Sequence, residues 1–316
     1  MKVHSYAYSI LVMLALSLTF VSCDDDDNTV EDPTIVEFAQ ENANFSTLVD
    51  AVVAADLVDV LNDRSANFTL FAPTNAAFDA FLAANNFTSL SDIPQALLRD
   101  VLLYHVFGSV ETSDKLATQY YNTAAEFDTA EPLSLFVNTD GGVVINGGVN
   151  VTAADEEVAN GVIHTVDAVI VPATVVTFAV ANPDFSILVA ALTRTDLTTD
   201  FVDILTGEGP FTVFAPTNAA FEALLASNNE WNSLDDIPVE TLDAVLRYHV
   251  VAGANVRAGD IVSDADVATF QGATFSINLD GATPVINAGS NTANIIATDV
   301  QGANGVVHAI DAVILP

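Results

Sequence analysis

The chain has 316 residues, 51% of them hydrophobic, which is enough to fill one large or two ordinary cores and excludes a disordered acidic tail. Its 42 acidic residues stand against 7 basic ones, a formal net charge of −35. A polyanion of this density is repelled by nucleic acid and by anionic lipid headgroups, which argues against both as partners.

Residues Ile10 to Val21 form an apolar run preceded by Lys2, too short to span a bilayer as a helix and laid out like a secretory signal, so residues 1–22 are expected to be a signal peptide. Cys23 is the only cysteine, so no internal disulfide can form. The segment Phe20-Val21-Ser22-Cys23 resembles a bacterial lipobox, which implies a lipid anchor on Cys23. Residues 23–33, opening with Asp24-Asp25-Asp26-Asp27, read as a solvated, extended tether. At about 3.3 Å per residue it could hold a domain roughly 30 Å from a membrane. An acidic run in that place also resembles the surface-export signal of Bacteroidetes lipoproteins.

Further along, Phe68-Thr69-Leu70-Phe71 predicts a strand closed by Pro73, after which Thr74 or Asn75 can cap a helix carrying Phe78, Phe81 and Leu82. Asp92-Ile93-Pro94 opens a second helix with proline in its first turn and Leu98, Val101 and Leu102 as its buried stripe. Leu133-Ser134-Leu135-Phe136-Val137 alternates as a strand, Asp140-Gly141 supplies a turn, and Val143-Val144-Ile145 returns. Helices first and antiparallel hairpins later predict an α+β domain.

The unit then repeats. Phe71-Ala72-Pro73-Thr74-Asn75-Ala76-Ala77-Phe78 recurs unchanged as Phe214 to Phe221, and Tyr104-His105-Val106 recurs as Tyr248-His249-Val250. Asn160-Gly161-Val162-Ile163-His164 returns as Asn304-Gly305-Val306-Val307-His308, and Asp167-Ala168-Val169-Ile170 as Asp311-Ala312-Val313-Ile314. Solenoid repeats are far shorter than this spacing, so two whole domains are expected, over residues 34–172 and 173–316. Only Val171-Pro172-Ala173-Thr174 joins them, which predicts closely coupled domains.

The Phe-Ala-Pro-Thr-Asn-Ala-Ala-Phe segments resemble the first signature of the fasciclin (FAS1) family. The Asn-Gly-Val-x-His segments with their following Asp-Ala-Val-Ile resemble its second signature, and the Tyr-His pairs fit too. The resemblance covers nearly everything after Pro33. It implies two tandem FAS1 domains, each a β-sandwich wedge flanked by helices, of a kind found in extracellular adhesion and matrix proteins.

The four histidines beyond the signal segment fall at repeat-equivalent places. His164 and His308 lie on the apolar faces of signature strands, where a buried imidazole needs a hydrogen-bond partner, and His105 and His249 end a helix near its last carbonyls. All four are expected to be structural, and Asp167 and Asp311 to bond a nearby turn. No catalytic residue, metal site or cofactor is expected, since no nucleophile elbow, phosphate loop, His-Glu-x-x-His pair or EF-hand spacing occurs. The family's integrin-binding members carry an Asp-Ile pair just before the second signature. Asp299-Val300 occupies that place in the second unit and Asp155-Glu156 in the first, making Asp299, Val300 and Asp155 candidate adhesion contacts. The resulting expectation is a non-enzymatic cell-envelope lipoprotein, surface-exposed on an outer membrane, that adheres to polysaccharide or protein at a cell surface. The alternative is a periplasmic or surface binding module for a small ligand or sugar.

Overall fold

The computed structural model describes residues 31–127 and 131–316. The signal peptide, Cys23 and all of the acidic tether before Glu31 lie outside the described residues.

The first unit runs α1 (Ile35–Glu41), α2 (Ser46–Ala54), α3 (Val58–Leu61), β1 (Phe68–Pro73), α4 (Asn75–Ala84) and α5 (Gln95–Tyr104), then β2 (Val106–Phe107), β3 (Gln119–Phe127), β4 (Glu131–Asn138), β5 (Val144–Ile145), β6 (Val149–Val158) and β7 (Gly161–Val166). The second repeats the plan as α6 (Val175–Ala181), α7 (Ser186–Leu192), α8 (Phe201–Thr206), β8 (Phe211–Pro216), α9 (Asn218–Ala226) and α10 (Val239–Tyr248), then β9 (Val250–Ala252), β10 (Asp266–Ala268), β11 (Thr274–Asn278), β12 (Val285–Asn287), β13 (Thr292–Gly302) and β14 (Gly305–Ile310). Each unit has one seven-stranded sheet, in the order β2-β1-β7-β6-β5-β4-β3 and its repeat equivalent β9-β8-β14-β13-β12-β11-β10. The signature strands β1 and β7 pair in parallel, as do β8 and β14, and all other pairs are antiparallel.

Each signature residue has a local task. Thr74 caps α4, its side-chain oxygen accepting from Ala77 N, and Thr217 does the same for α9. Asn75 ties α4 to the start of α2, accepting from Thr47 N and donating to Ala43 O. Asn160 is buried and accepts from Ile35 N at 2.9 Å while donating to Leu61 O at 2.8 Å and Asp63 O at 3.2 Å, so one amide pins α1 and α3 to the edge of β7. Gly161 follows because a Cβ there would lie 1.9 Å from Phe68 O, at a φ of +152°.

Two details differ from the sequence reading. Pro94 is the N-cap of α5 rather than part of its first turn, while Asp92 turns back to accept from Thr88 N and Ser89 N. Strand β7 stops at Val166, so Asp167 sits in a bend, and its carboxylate takes both the backbone N–H and the side-chain amide of Asn150, which lies on strand β6 rather than in a turn. Asp311 and Asn294 repeat that pair.

The alternation read in β4 also fails as a burial pattern, because Leu133 to Val137 are all buried. Strand β13 of the second unit covers the face that would otherwise be solvated. Ser134 Oγ there accepts from Gln301 N at 3.0 Å. One buried cluster accordingly runs through both units, joining Phe71, Tyr104 and Phe136 to Phe178, Phe185 and Val307. At the joint, Tyr104 Oη accepts from Ala173 N, and Ala173 O accepts from Ala303 N.

Candidate functional site

The long strands β6 and β13 each shift register twice against their partners, the mark of bulges that bend a strand. At one bulge of each lies an aspartate in the left-handed region, Asp155 at φ +63° and Asp299 at φ +60°. A signature histidine holds each bulge. Nδ1 of His164 accepts from Asp155 N at 3.2 Å and Nε2 donates to Glu111 O at 2.8 Å, while His308 does the same with Asp299 N and Val256 O. Both imidazoles are buried, which lowers their pKa and keeps the neutral Nε2–H form that this geometry needs. His105 and His249 do related work, with Nδ1 on the carbonyl of Val101 or Val245 and Nε2 accepting from Ile170 N or Ile314 N. Burial brings both down to about 4.

The three candidate adhesion residues differ in what they offer. The Asp155 carboxylate accepts from the backbone N–H and hydroxyl of Ser113, and these bonds hold its pKa below the usual carboxylate range. Asp299 accepts from Ala258 N at 2.8 Å with Arg257 Nε 3.9 Å away. Val300 is only 6% exposed and packs into the core shared by the two units, which takes its side chain out of a partner's reach. Of the three, Asp155 and Asp299 are partly exposed while Val300 is covered. No group of three or more His, Cys, Asp or Glu side chains that could hold a metal ion occurs among the described residues.

A groove of about 250 Å³ opens at the junction of the units, beside Val300. Domain one contributes Thr118, Gln119 and Tyr120, and domain two contributes Asn182 and Asp184 together with Ile296 and Ala297 of β13. Tyr120 is the pivot. Its ring packs 4.9 Å from Phe136 of its own unit and edge-on, at 5.4 Å, to Phe178 of the other. Its hydroxyl accepts from Asn182 Nδ2 at 3.1 Å, and burial pushes its pKa up to about 12, so it stays a neutral O–H. No acceptor for that hydrogen occurs among the described residues, which leaves the O–H free to meet a ligand. Ile296 is 55% exposed at the mouth, an apolar contact beside the Asp184 carboxylate and the Gln119 amide. Such a floor and rim can hold a small ring or side chain and orient it with a few polar groups.

The residues that fix the junction were not singled out from the sequence. Arg257 of domain two pairs with Glu131 of domain one, and the buried Gln301 amide exchanges hydrogen bonds with Asn255 while its backbone reaches Ser134. A signal existed in the differences between the repeats, since Gln301 stands where domain one has the exposed Glu157, and Arg257 where it has Thr112.

Comparison with known proteins gives the same answer twice over. The fasciclin domain family matches residues 43–172 and again residues 183–316. A Synechocystis protein is 44% identical over 147 residues, which is 45% of this chain and 73% of that one. Pig transforming growth factor-beta-induced protein ig-h3 is 30% identical over 252 residues, and human periostin 30% identical over 256. Each of the two animal alignments covers 79% of this chain, which spans 35% of the pig protein's length and 28% of the human one's. Among solved structures, a FAS1 domain pair from the insect cell adhesion molecule Fasciclin I superposes with a TM-score of 0.55 at 21% identity, covering 87% of this chain and 98% of that one. With both halves matched and the pair architecture in common, the chain belongs to the fasciclin family and carries two FAS1 domains in tandem.

Proposed function

We propose that this protein is a non-enzymatic surface adhesin, secreted by its N-terminal signal, anchored through a lipid on Cys23 and holding its two FAS1 domains away from an outer membrane on the acidic tether. Tandem fasciclin domains are typical of adhesion or binding proteins, and the insect relative is a cell adhesion molecule. The observation that carries the reading is the groove at the domain junction, which takes one wall from each unit and leaves Ile296, Asp184 and the Tyr120 hydroxyl open to a partner. The partner it fits is a polysaccharide or a protein at a cell surface, gripped one ring or side chain at a time. At a net charge of −35, contact with an acidic polymer requires salt or divalent cations to screen repulsion.

The groove's size also favours a second reading, a binding module for a small soluble ligand or sugar. Glycan-array and immobilised-matrix binding of the full chain separates the two. Adhesion predicts binding to immobilised polymer that millimolar free monosaccharide does not displace, whereas tight binding of a soluble monomer with no retention on any polymer would replace it with the second reading.

A further inference from the structure

The two domains repeat the same arrangement of α1–α3 and α6–α8 over their signature strands, but they do not fill it equally. In domain one the space between the helices is a residual gap of about 10 Å³. At the equivalent place in domain two it is an apolar cleft of about 190 Å³ that reaches the surface. Exchanges of residues on the floor contribute to the opening. On the floor, Leu70 and Ile163 are register neighbours on the parallel strands β1 and β7, and their equivalents Val213 and Val307 on β8 and β14 each lack a methylene. Ile35, the first residue of α1, becomes Val175 in α6, a third methylene lost. Val52→Leu192 and Leu57→Phe201 in the neighbouring helices lengthen side chains without closing the space. At the mouth, exposed Gln40 is replaced by Val180, which is 66% exposed, next to Val202 at 43%.

We infer that this cleft is a binding site for a single alkyl chain whose head group carries no negative charge. The chain is specified by the walls, which are aliphatic and aromatic apart from Thr193, whose hydroxyl is already spent on Val189 O at 2.8 Å. A polar ligand placed there would lose its hydrogen bonds to water and find none in return, whereas an apolar cavity of this kind stays dry and accepts hydrocarbon. The head group is specified by charge complementarity. Helices α6 and α7 carry no charged side chain, the charges of α8 and its cap are Asp200 and Asp203, and the nearby cation Arg194 is held by Asp196, Leu234 O and Ile237 O. A carboxylate or phosphate head would thus meet only acidic groups on a chain of net charge −35. The cleft shares Phe185 and Val307 with the lining of the junction groove but opens between different elements, and the inference does not rest on the adhesion reading.

The test is methyl NMR of the full chain titrated with decanol, decyltrimethylammonium and decanoate below their micellar concentrations. The inference predicts saturable shifts at Val175, Val213 and Val307 with the first two probes, little movement at Leu70 and Ile163, and distinctly weaker binding of decanoate. Restoring the domain-one floor with Val175→Ile, Val213→Leu and Val307→Ile should weaken decanol binding by about tenfold or more, because the space for two to three methylenes is gone. Val180→Asp, an exposed change that leaves the core intact, should weaken it as well and serves if the refilled variant does not fold. Unshifted cleft methyls in the wild type, equal shifts in both domains, or undiminished decanol binding by either variant would overturn the alkyl site, and decanoate binding as tight as the cation's would overturn the head-group assignment. Each outcome is read without an adhesion partner, so none decides the adhesion reading, and Val175 and Val213, which do not line the groove, report on the cleft alone.

Discussion

Replacing Asn160 by alanine should destabilise both domains at once. The side chain is buried, and its loss orphans Ile35 N–H and Leu61 C=O, both in buried residues, while Asp63 O lies in an exposed residue and can turn to water. Each buried orphan costs about 1–3 kcal/mol, and a water entering the vacated space recovers part of that, so the net cost should be about 3 kcal/mol. For two domains unfolding as one cooperative core, at about 2 °C per kcal/mol, that is a fall of about 6 °C in Tm. The assay is urea unfolding followed by far-UV circular dichroism and by the fluorescence of Trp231, the chain's one tryptophan, which lies in domain two and packs partly on the shared core. If the cluster joining the units is one core, a lesion in domain one must shift the Trp231 transition by the same amount as the dichroism. Asn304→Ala should cost less, because Asn304 makes the equivalent bonds but is itself partly exposed, so water reaches the groups it leaves more readily. An Asn160→Ala transition within about 0.5 kcal/mol of wild type, or a Trp231 signal that stays put while the dichroism splits in two, would refute the reasoning.

Acid should weaken the fold well above the range where carboxylates titrate. His105 and His249 titrate near 6.5 when unfolded and near 4 when folded, so between those values the unfolded chain holds more protons and stability falls as pH drops, being complete above 6.5. The two sites together should give a slope of about 2 kcal/mol per pH unit near pH 5, in the same direction as His164 and His308, and a flat urea midpoint from pH 6.5 to 4.5 would contradict it. Gly161→Ala should abolish soluble expression because of the 1.9 Å approach to Phe68 O, whereas Gly141→Ala, with open space around its φ of +82°, should cost only about 1 kcal/mol in a denaturant melt. Cys23→Ala should move the protein from the membrane to the soluble fraction, and a variant that stays membrane-bound beside a wild type with no lipid mass would end the anchor proposal.

What could be read in advance was whatever the chain states locally and then repeats. Thr74 and Thr217 at the caps, the turn glycine Gly141 and the apolar stripe Leu98-Val101-Leu102 act within a few residues or through a required φ, so their types announce their tasks, while the Asn160-Gly161 pair was legible only because it repeats. The α+β order followed from the same signals. What could not be read was the burial of Ser134 and Val300, because a period-two pattern tells which residues share a face but not that a second domain will cover that face. Nor do the bulges announce themselves, since Asp155 and Asp299 reach the left-handed region only because a histidine nine residues on holds their N–H. The junction groove is further still from local pattern, as Tyr120 and Ile296 come from different units.

Bead adhesion by the full chain tests the adhesive function most directly, comparing wild type with Ala297→Trp, which fills the junction groove, and with Val53→Lys, on the exposed helical face of domain one. Beads carrying wild type or Val53→Lys should adhere to cells or extracellular polysaccharide, more strongly with calcium and less with chelator, while Ala297→Trp beads should lose adhesion at an unchanged Tm. Undiminished adhesion by a folded Ala297→Trp protein would contradict the groove as the contact, and equal, negligible adhesion by all three would contradict the adhesive function itself.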